Sequence, residues 1–173
     1  MNNVVQAMVD RRSIKRFDAQ QVPEELLEQI LRAGIHAPTG MGKQSPVIVV
    51  LQDPEVIAAL ERMNAKIMGM EGTHPFYGAP TVLVVLANAD IHTAIYDGSL
   101  VMGNLLLAAS ALGLGGCWIH RAKEEFESEE GKALLQSWGL SGNYIGIGHC
   151  VLGYAAADPA PAKPRKAEYI IRP

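Results

Sequence analysis

The chain has 173 residues, 49% apolar and 19% charged, a length and balance that suit a single globular domain over 1–173 with a substantial core. Its net charge of −3 excludes a global positive field for nucleic acid or anionic lipid, so any anion site must come from a local cluster. Two cysteines, Cys117 and Cys150, with no CxxC spacing exclude a disulfide framework and a thioredoxin-like redox pair and read as reduced core residues.

The segment Met1 to Asp10 lacks the basic and apolar regions of a signal peptide, and no apolar run reaches the ~18 residues of a membrane span. The expectation is a cytoplasmic protein with no membrane and no nucleic-acid partner. In chain order, Val4, Val5, Met8 and Val9 recur at helical spacing before a basic turn at Arg11, Arg12 and Ser13. Pro23 suits the first turn of a helix carrying Leu26, Leu27, Ile30 and Leu31 on one face, and Pro38, Gly40 and Gly42 mark a loop. Val47 to Leu51 reads as a buried strand, Asp53 or Pro54 starts a helix through Ile57, Leu60, Asn64 and Ile67, and Thr81 to Ala87 reads as a second buried strand.

Tyr96 to Leu112 is apolar nearly all round, which predicts a helix enclosed on every side and, in a small chain, one face covered by a second subunit. Gly113, Gly115 and Gly116 end it, and Cys117 to Ile119 is a short strand. Lys123 to Ser137 reads as one charged amphipathic surface helix, and Ile145 to Tyr154 as a longer strand. The tail, Ala155 to Pro173, is extended by its prolines but ends in Tyr169, Ile170 and Ile171, which suggests docking. Strands alternating with helices predict an α/β or α+β three-layer domain.

Arg11, Arg12, Ser13, Lys15 and Arg16 gather four cations and a hydroxyl in six positions. Such a group suits a phosphomonoester, although a solvated basic turn has the same spacing. Lys163 and Arg165, with Lys166, could close over the same anion. The glycines at Gly113, Gly115 and Gly116 lack GxGxxG spacing and precede a strand, against a dinucleotide fingerprint. His149 and Cys150 are adjacent on a strand and should point to opposite faces, which argues against a zinc site; no metal site is expected. There is no GxSxG elbow, so hydrolase chemistry has no support. Glu124, Glu125, Glu127, Glu129 and Glu130 read as the solvated face of the surface helix.

Taken together, RRSIKRF (Arg11 to Phe17), APTGMGKQSPVIVV (Ala37 to Val50), FYGAPTVLVVL (Phe76 to Leu86), DGSLVMGNLLLAASALGLGGCWIHRAKEEF (Asp97 to Phe126) and GHCVLGY (Gly148 to Tyr154) resemble the FMN-dependent nitroreductase family in order and separation. The resemblance implies an α+β, three-layer nitroreductase-like fold: a central mixed sheet flanked by helices, with an extended C-terminal arm swapped in a homodimer that holds two FMN sites at its interface. By position, Arg11, Arg12, Ser13 and Lys15 look like the grip on the ribityl phosphate, joined by Lys163 and Arg165. Pro38, Thr39 and Met41, with Gln44, look like the loop bordering the flavin of the other subunit. Trp118, Ile119 and His120 look like the segment along one flavin face, with a backbone N–H near His120 meeting N5, and Asn64 like a contact at the flavin edge. Gly42 stands where relatives carry Asn, which removes or moves a polar contact.

The implied reaction is hydride transfer from NADH or NADPH through FMN to a small oxidised acceptor such as a nitroarene or quinone, ping-pong in order, with no catalytic side chain. Other readings are a same-fold flavoenzyme for dehalogenation, dehydrogenation or flavin breakdown, a non-catalytic FMN carrier, and a zinc-binding structural module.

Overall fold

The apolar runs expected as strands pair into one four-stranded sheet in the computed structural model, which describes residues 1–173. Strands β1 (Pro46–Leu51), β2 (Thr81–Asn88), β3 (Gly115–Ile119) and β4 (Tyr144–Gly153) run in the order β1-β2-β4-β3. Every neighbouring pair is antiparallel. The mixed sheet of the resemblance is therefore antiparallel in its strands, and parallel pairing is limited to one bridge between Ser13 and Gly116.

The central strand β2 is buried over Thr81 to Ala87 and feeds two cores by alternation. Val82, Val84 and Leu86 face one side with Leu60, Met63, Phe76 and Phe126. Leu83, Val85 and Ala87 face the other with Ile30, Val101, Met102 and Leu105. Helices α3 (Pro54–Ile67), α5 (Ala122–Glu127) and α6 (Glu129–Ser137) cover the first face, and α2 (Glu24–Ile35) and α4 (Ala94–Ala111) the second. This is the expected three-layer α+β arrangement. Asp53 caps α3 by accepting from the Glu55 N–H at 2.8 Å, with Pro54 in the first turn.

The β2–β4 register slips between Val85 and Leu86, opposite Gly148 and Gly146, which leaves Ile147 as an extra residue. The flanking glycines are required by close approach. A Cβ at Gly146 would lie 2.2 Å from the Ala122 carbonyl oxygen, and one at Gly148 would lie 2.0 Å from Trp118 Nε1. The bulge thus lets the start of α5 and the Trp118 ring lie directly on β4.

Three expectations are corrected. The single helix over Lys123 to Ser137 breaks at Ser128, whose extended backbone ends α5 and caps α6; its Oγ accepts from the Gly131 N–H at 3.0 Å and donates to the Glu125 carbonyl at 2.6 Å. The strand expected to be buried at Val47 to Leu51, β1, lies at the sheet edge, is half-buried over most of its length and leaves Val50 exposed. Helix α4, expected to have one face covered by a second subunit, buries within its own chain the stripe Ala94, Asp97, Gly98, Val101, Met102, Leu105 and Ala109 and leaves Ile95, Tyr96 and Leu100 exposed. At 18 residues α4 is also long and apolar enough to cross a membrane by length and composition, contrary to the expected absence of such a run; its buried stripe packs on β2 and β4 instead.

The first helix, α1 (Asn3–Asp10), buries none of its residues, so Val4, Val5, Met8 and Val9 lie open, and Val4 and Ala7 border the Asn104–Ala111 end of α4. Ser128→Ala is expected to lower stability by about 1 kcal/mol through the lost cap, read as a shift in urea midpoint. Gly131→Ala should cost more than that, because its Cβ would meet the Glu125 carbonyl oxygen at 1.9 Å and backbone cannot swing aside.

Candidate functional site

After α1 ends, the basic segment runs along the edge of β3. The Ile14 N–H donates to the Gly116 carbonyl at 3.1 Å, the Asp18 N–H to Tyr154 at 2.9 Å, and the Ala156 N–H to Arg16 at 3.1 Å. These bonds stitch the basic turn to the root of the C-terminal tail. The result is a cavity of about 580 Å³ walled by Arg11, Arg12, Ser13, Lys15 and Arg16 on one side and by residues 157–163 with Arg165 on the other. The two basic groups singled out in the sequence therefore meet within one chain.

Six cations line this cavity against one carboxylate, Asp158, and none of the six makes an ion pair. Arg12 is partly committed: its Nη1 donates to the Val9 and Arg11 carbonyls at 2.7 and 2.9 Å. Unpaired Arg and Lys with a hydroxyl between them form the donor set that a phosphomonoester requires.

Lys15 also lines a second groove of about 450 Å³, walled by Met68, Met70, Tyr77, Trp118, Ile119, His120 and Arg121 among others. The two spaces share that one residue as a corner, and Lys15 Nζ lies 5.9 Å above the Tyr77 ring. Strand alternation buries Cys117 and Ile119 and leaves Trp118 38% exposed along the wall.

Asn64 lies behind the groove and not on its wall. It is fully buried, its Nδ2 donates to the His120 carbonyl at 2.9 Å and to Glu125 Oε1 at 2.5 Å, and its Oδ1 accepts from Arg121 Nε at 2.9 Å. Both N–H groups and the oxygen of its amide are engaged by the protein, so its place is to fix the turn after His120.

Glu125 corrects the expectation of a solvated acidic face. Ala122, Glu125 and Phe126 form the buried stripe of α5, and the Glu125 carboxylate is bonded to His149 Nε2 with both side chains at zero exposure. His149 sits between the rings of Phe76 and Phe126, 5.1 and 6.3 Å away. Cys150 points to the opposite core, as strand alternation requires. The histidine's Nδ1 has no partner. The signal was in the sequence: the i, i+3, i+4 pattern of Ala122, Glu125 and Phe126 places that carboxylate inward, and the alternation of β4 places His149 on the same side of the sheet.

Pro38, Thr39, Met41 and Gln44 are not brought to this groove. Thr39 and Gln44 line a separate hollow of about 140 Å³ with Ile35, Pro46 and Val101, on the α2–α4 side. The loop is pinned by Asp97, a buried carboxylate that the sequence reading passed over. It accepts from the Gly40 N–H at 2.9 Å, Thr93 Oγ1 at 2.9 Å and Ser45 Oγ at 3.2 Å. Gly40 is required there because a Cβ would meet Thr93 Oγ1 at 2.5 Å. Met41 is left 76% exposed in a left-handed conformation, φ 53°.

Burial raises the Cys117 thiol pKa, opposed by a hydrogen bond with Ser13 and by the charges of Lys15 and Arg11. Burial also pushes Cys150 far up, with Cys117 adding to the rise. Both thiols stay protonated near neutrality.

A three-layer domain with a cationic cradle opening into an aromatic-walled groove is the framework of a binding site for a phosphorylated, ring-bearing ligand. The sequence profile of the nitroreductase family matches residues 8–154, and the chain belongs to that family. A nitroreductase with bound FMN from Bacteroides fragilis superposes with a TM-score of 0.91 at 29% identity, covering 99% of each chain. A second, from Desulfitobacterium hafniense and also with bound FMN, gives 0.89 at 26% identity over 99% of this chain and 98% of its own. Among sequences, a Methanothermobacter thermautotrophicus protein provisionally named NADH dehydrogenase/NAD(P)H nitroreductase is 26% identical across 91% of this chain and 80% of its own length.

Asp97→Ala should destabilise the fold by at least about 1.5–3 kcal/mol, the worth of one charged hydrogen bond, because three donors lose their acceptor; equilibrium urea unfolding checks this. Iodoacetamide at neutral pH should leave Cys150 unmodified in the native protein and alkylate it once urea unfolds the chain, as mass spectrometry of the two samples would show.

Proposed function

We propose that the protein is an FMN-dependent oxidoreductase that takes hydride from NADH or NADPH and delivers electrons to a small oxidised acceptor of nitroaromatic or quinone type. The observation that carries this reading is the continuity, through Lys15, of the six-cation cradle with the groove beside Trp118, Ile119 and His120. The FMN bound in the B. fragilis and D. hafniense relatives and the nicotinamide in the Methanothermobacter protein's name support it.

The donor set suits the cofactor. Arg11, Arg12, Ser13 and Lys15, with Lys163 and Arg165, would hold the phosphate, and Trp118, Ile119 and His120 would border the ring. Bound FMN would supply the hydride chemistry. The chain's own part is to orient that group, to present backbone N–H donors at the His120 turn, and to shape the space where donor and acceptor alternate. Asn64 serves from behind, by holding the His120 carbonyl and with it the orientation of the peptide. The His120 ring is exposed and makes no hydrogen bond to another side chain, so it fits a backbone role rather than that of a general acid.

A homodimer belongs to the same proposal. Val4, Val5, Met8 and Val9 on α1, Ile95, Tyr96 and Leu100 on α4, and Tyr169, Ile170 and Ile171 on the tail are all exposed, an amount of open apolar surface that a second copy would cover. Met41 and its loop, away from the groove of their own chain, would then border the partner's flavin, and the tail would cross as an arm. Two buried free thiols suit a reducing compartment, and we place the protein in the cytoplasm.

Purified protein should carry, or take up, FMN and show oxidised flavin bands; colourless protein that refuses added FMN would refute the proposal. Arg11→Ala and Arg165→Ala should each weaken FMN by about 1.5–3 kcal/mol while leaving the chain folded. Initial-rate plots at several acceptor concentrations should be parallel, and His120→Ala should lose less than about tenfold in the reductive step, short of the ~10²–10⁴ lost with a true general acid or base. Light scattering should give a dimer, with truncation after Tyr154 impairing both dimer and flavin retention.

A further inference from the structure

We infer that Arg121 reads an oxyanion on the molecule that exchanges electrons with the flavin, a role that rests on the function proposed above. The class of ligand is a planar aromatic acceptor bearing a carboxylate or sulfonate, or the pyrophosphate of the nicotinamide donor; both offer the same anionic oxygens.

The first observation is conformational. Arg121 follows His120 in the left-handed region at φ 81°, where a residue with a Cβ is disfavoured and glycine is the default. A turn that needed only its backbone shape would be better served by glycine, so the side chain has its own reason to be there.

The second is how that side chain is held. Its Nε donates to Asn64 Oδ1 at 2.9 Å, and Asn64 is locked by the His120 carbonyl and by Glu125, which is in turn bonded to His149. Asn64, Glu125 and His149 are all fully buried. The guanidinium is thereby set in place before any ligand arrives, which removes much of the ordering cost of binding. One of its five N–H donors is used; the others have no acceptor on the protein, and no carboxylate lies within ion-pair distance.

The third is the charge of the surroundings. Arg121 lines the groove beside Trp118 and not the cationic cradle, so it is separate from the phosphate grip. The groove wall holds Lys15 and Arg121 and no Asp or Glu. His74, at the rim, is bonded through Nδ1 to Glu61 at 3.0 Å. A half-buried, pre-positioned guanidinium with free Nη groups, at the edge of the groove that would hold the flavin ring, accepts a carboxylate in bidentate fashion from a molecule lying against the open face of that ring.

The test uses the oxidised, FMN-loaded protein without a hydride donor, and calorimetric titration with 4-nitrobenzoate against the nearly isosteric, neutral 4-nitrobenzamide. The wild type should prefer the carboxylate by about tenfold or more, and Arg121→Met should reduce that preference to within about twofold. Arg121→Lys, which keeps a charge but not the fork, should retain less than about a third of the preference, and it carries the test should the Met variant fail to load FMN. In a second arm, steady-state KM for NADH is compared between wild type and the same variants with 4-nitrobenzamide as acceptor. A rise of about tenfold there, without a carboxylate preference in the first arm, assigns the oxyanion to the donor.

No preference in the wild type together with an unchanged KM for NADH in both variants would overturn the inference while leaving the oxidoreductase intact. So would a preference that survives undiminished in both variants. A wild-type protein that neither holds FMN nor oxidises NAD(P)H would instead overturn the functional reading, and this inference with it.

Discussion

Strand β2 is buried on both faces, and this constraint governs the rest of the molecule. A strand that presents Val82, Val84 and Leu86 to one side and Leu83, Val85 and Ala87 to the other demands helices on both sides of the sheet. On the first face α3, α5 and α6 meet the demand within the chain. On the second, α4 covers the sheet with one stripe and turns an equally apolar stripe outward, which α1 borders but does not bury. The two faces thus divide the work: one carries the groove and its buried supports, and the other offers the surface on which the proposed second copy would sit.

Two candidate site segments, the Met41 loop and the His120 turn, are each held by a buried carboxylate that has no Lys or Arg as its ion-pair partner. Asp97 gathers a backbone N–H and two hydroxyls and pins the loop around Met41. Glu125 takes Asn64 and His149 and, through Asn64, fixes the turn at His120 and Arg121. Burying a carboxylate is costly unless its lone pairs are filled, so each such group tolerates few alternative geometries. A loop tied to such a group is rigid for a definite reason, and rigidity is what a groove needs if it is to orient a flat ligand between successive reactants.

The sequence made the layers legible because strand and helix periods differ, and β2, α2 and α3 follow their apolar patterns closely, while β1 forms where its apolar run lies but at the sheet edge and only half-buried. It made the cationic cradle legible because charge clusters are local. Local spacing could not reveal that Ser128 breaks one helix into two, since a cap and a mid-helix serine look alike until the Gly131 N–H is seen to need an acceptor. The inward turn of Glu125 is legible in the spacing of Ala122, Glu125 and Phe126, but its partner is not legible locally, because His149 lies on a strand far along the chain. The place of Asn64 is hidden from local spacing for the same reason: its partners, His120, Arg121 and Glu125, come from segments more than fifty positions away.

Backbone strain marks the same two segments independently of charge. The four non-glycine residues with positive φ are Met41 and Gln44 in the loop pinned by Asp97, and Tyr77 and Arg121 on the groove wall. Each such residue costs on the order of 1–3 kcal/mol and persists only where the surroundings over-determine it. For Arg121 the determining contact is Asn64; for Gln44 it is the hydroxyl of Thr39, which accepts from its N–H at 3.1 Å. Strain placed at random would scatter over the other loops, where glycines at Gly113 and Gly139 take the left-handed positions instead. Its confinement to the Met41 loop on one side of the sheet and to the groove wall on the other fits the proposed homodimer, which would bring the Met41 loop of one copy to the Trp118 groove of the other.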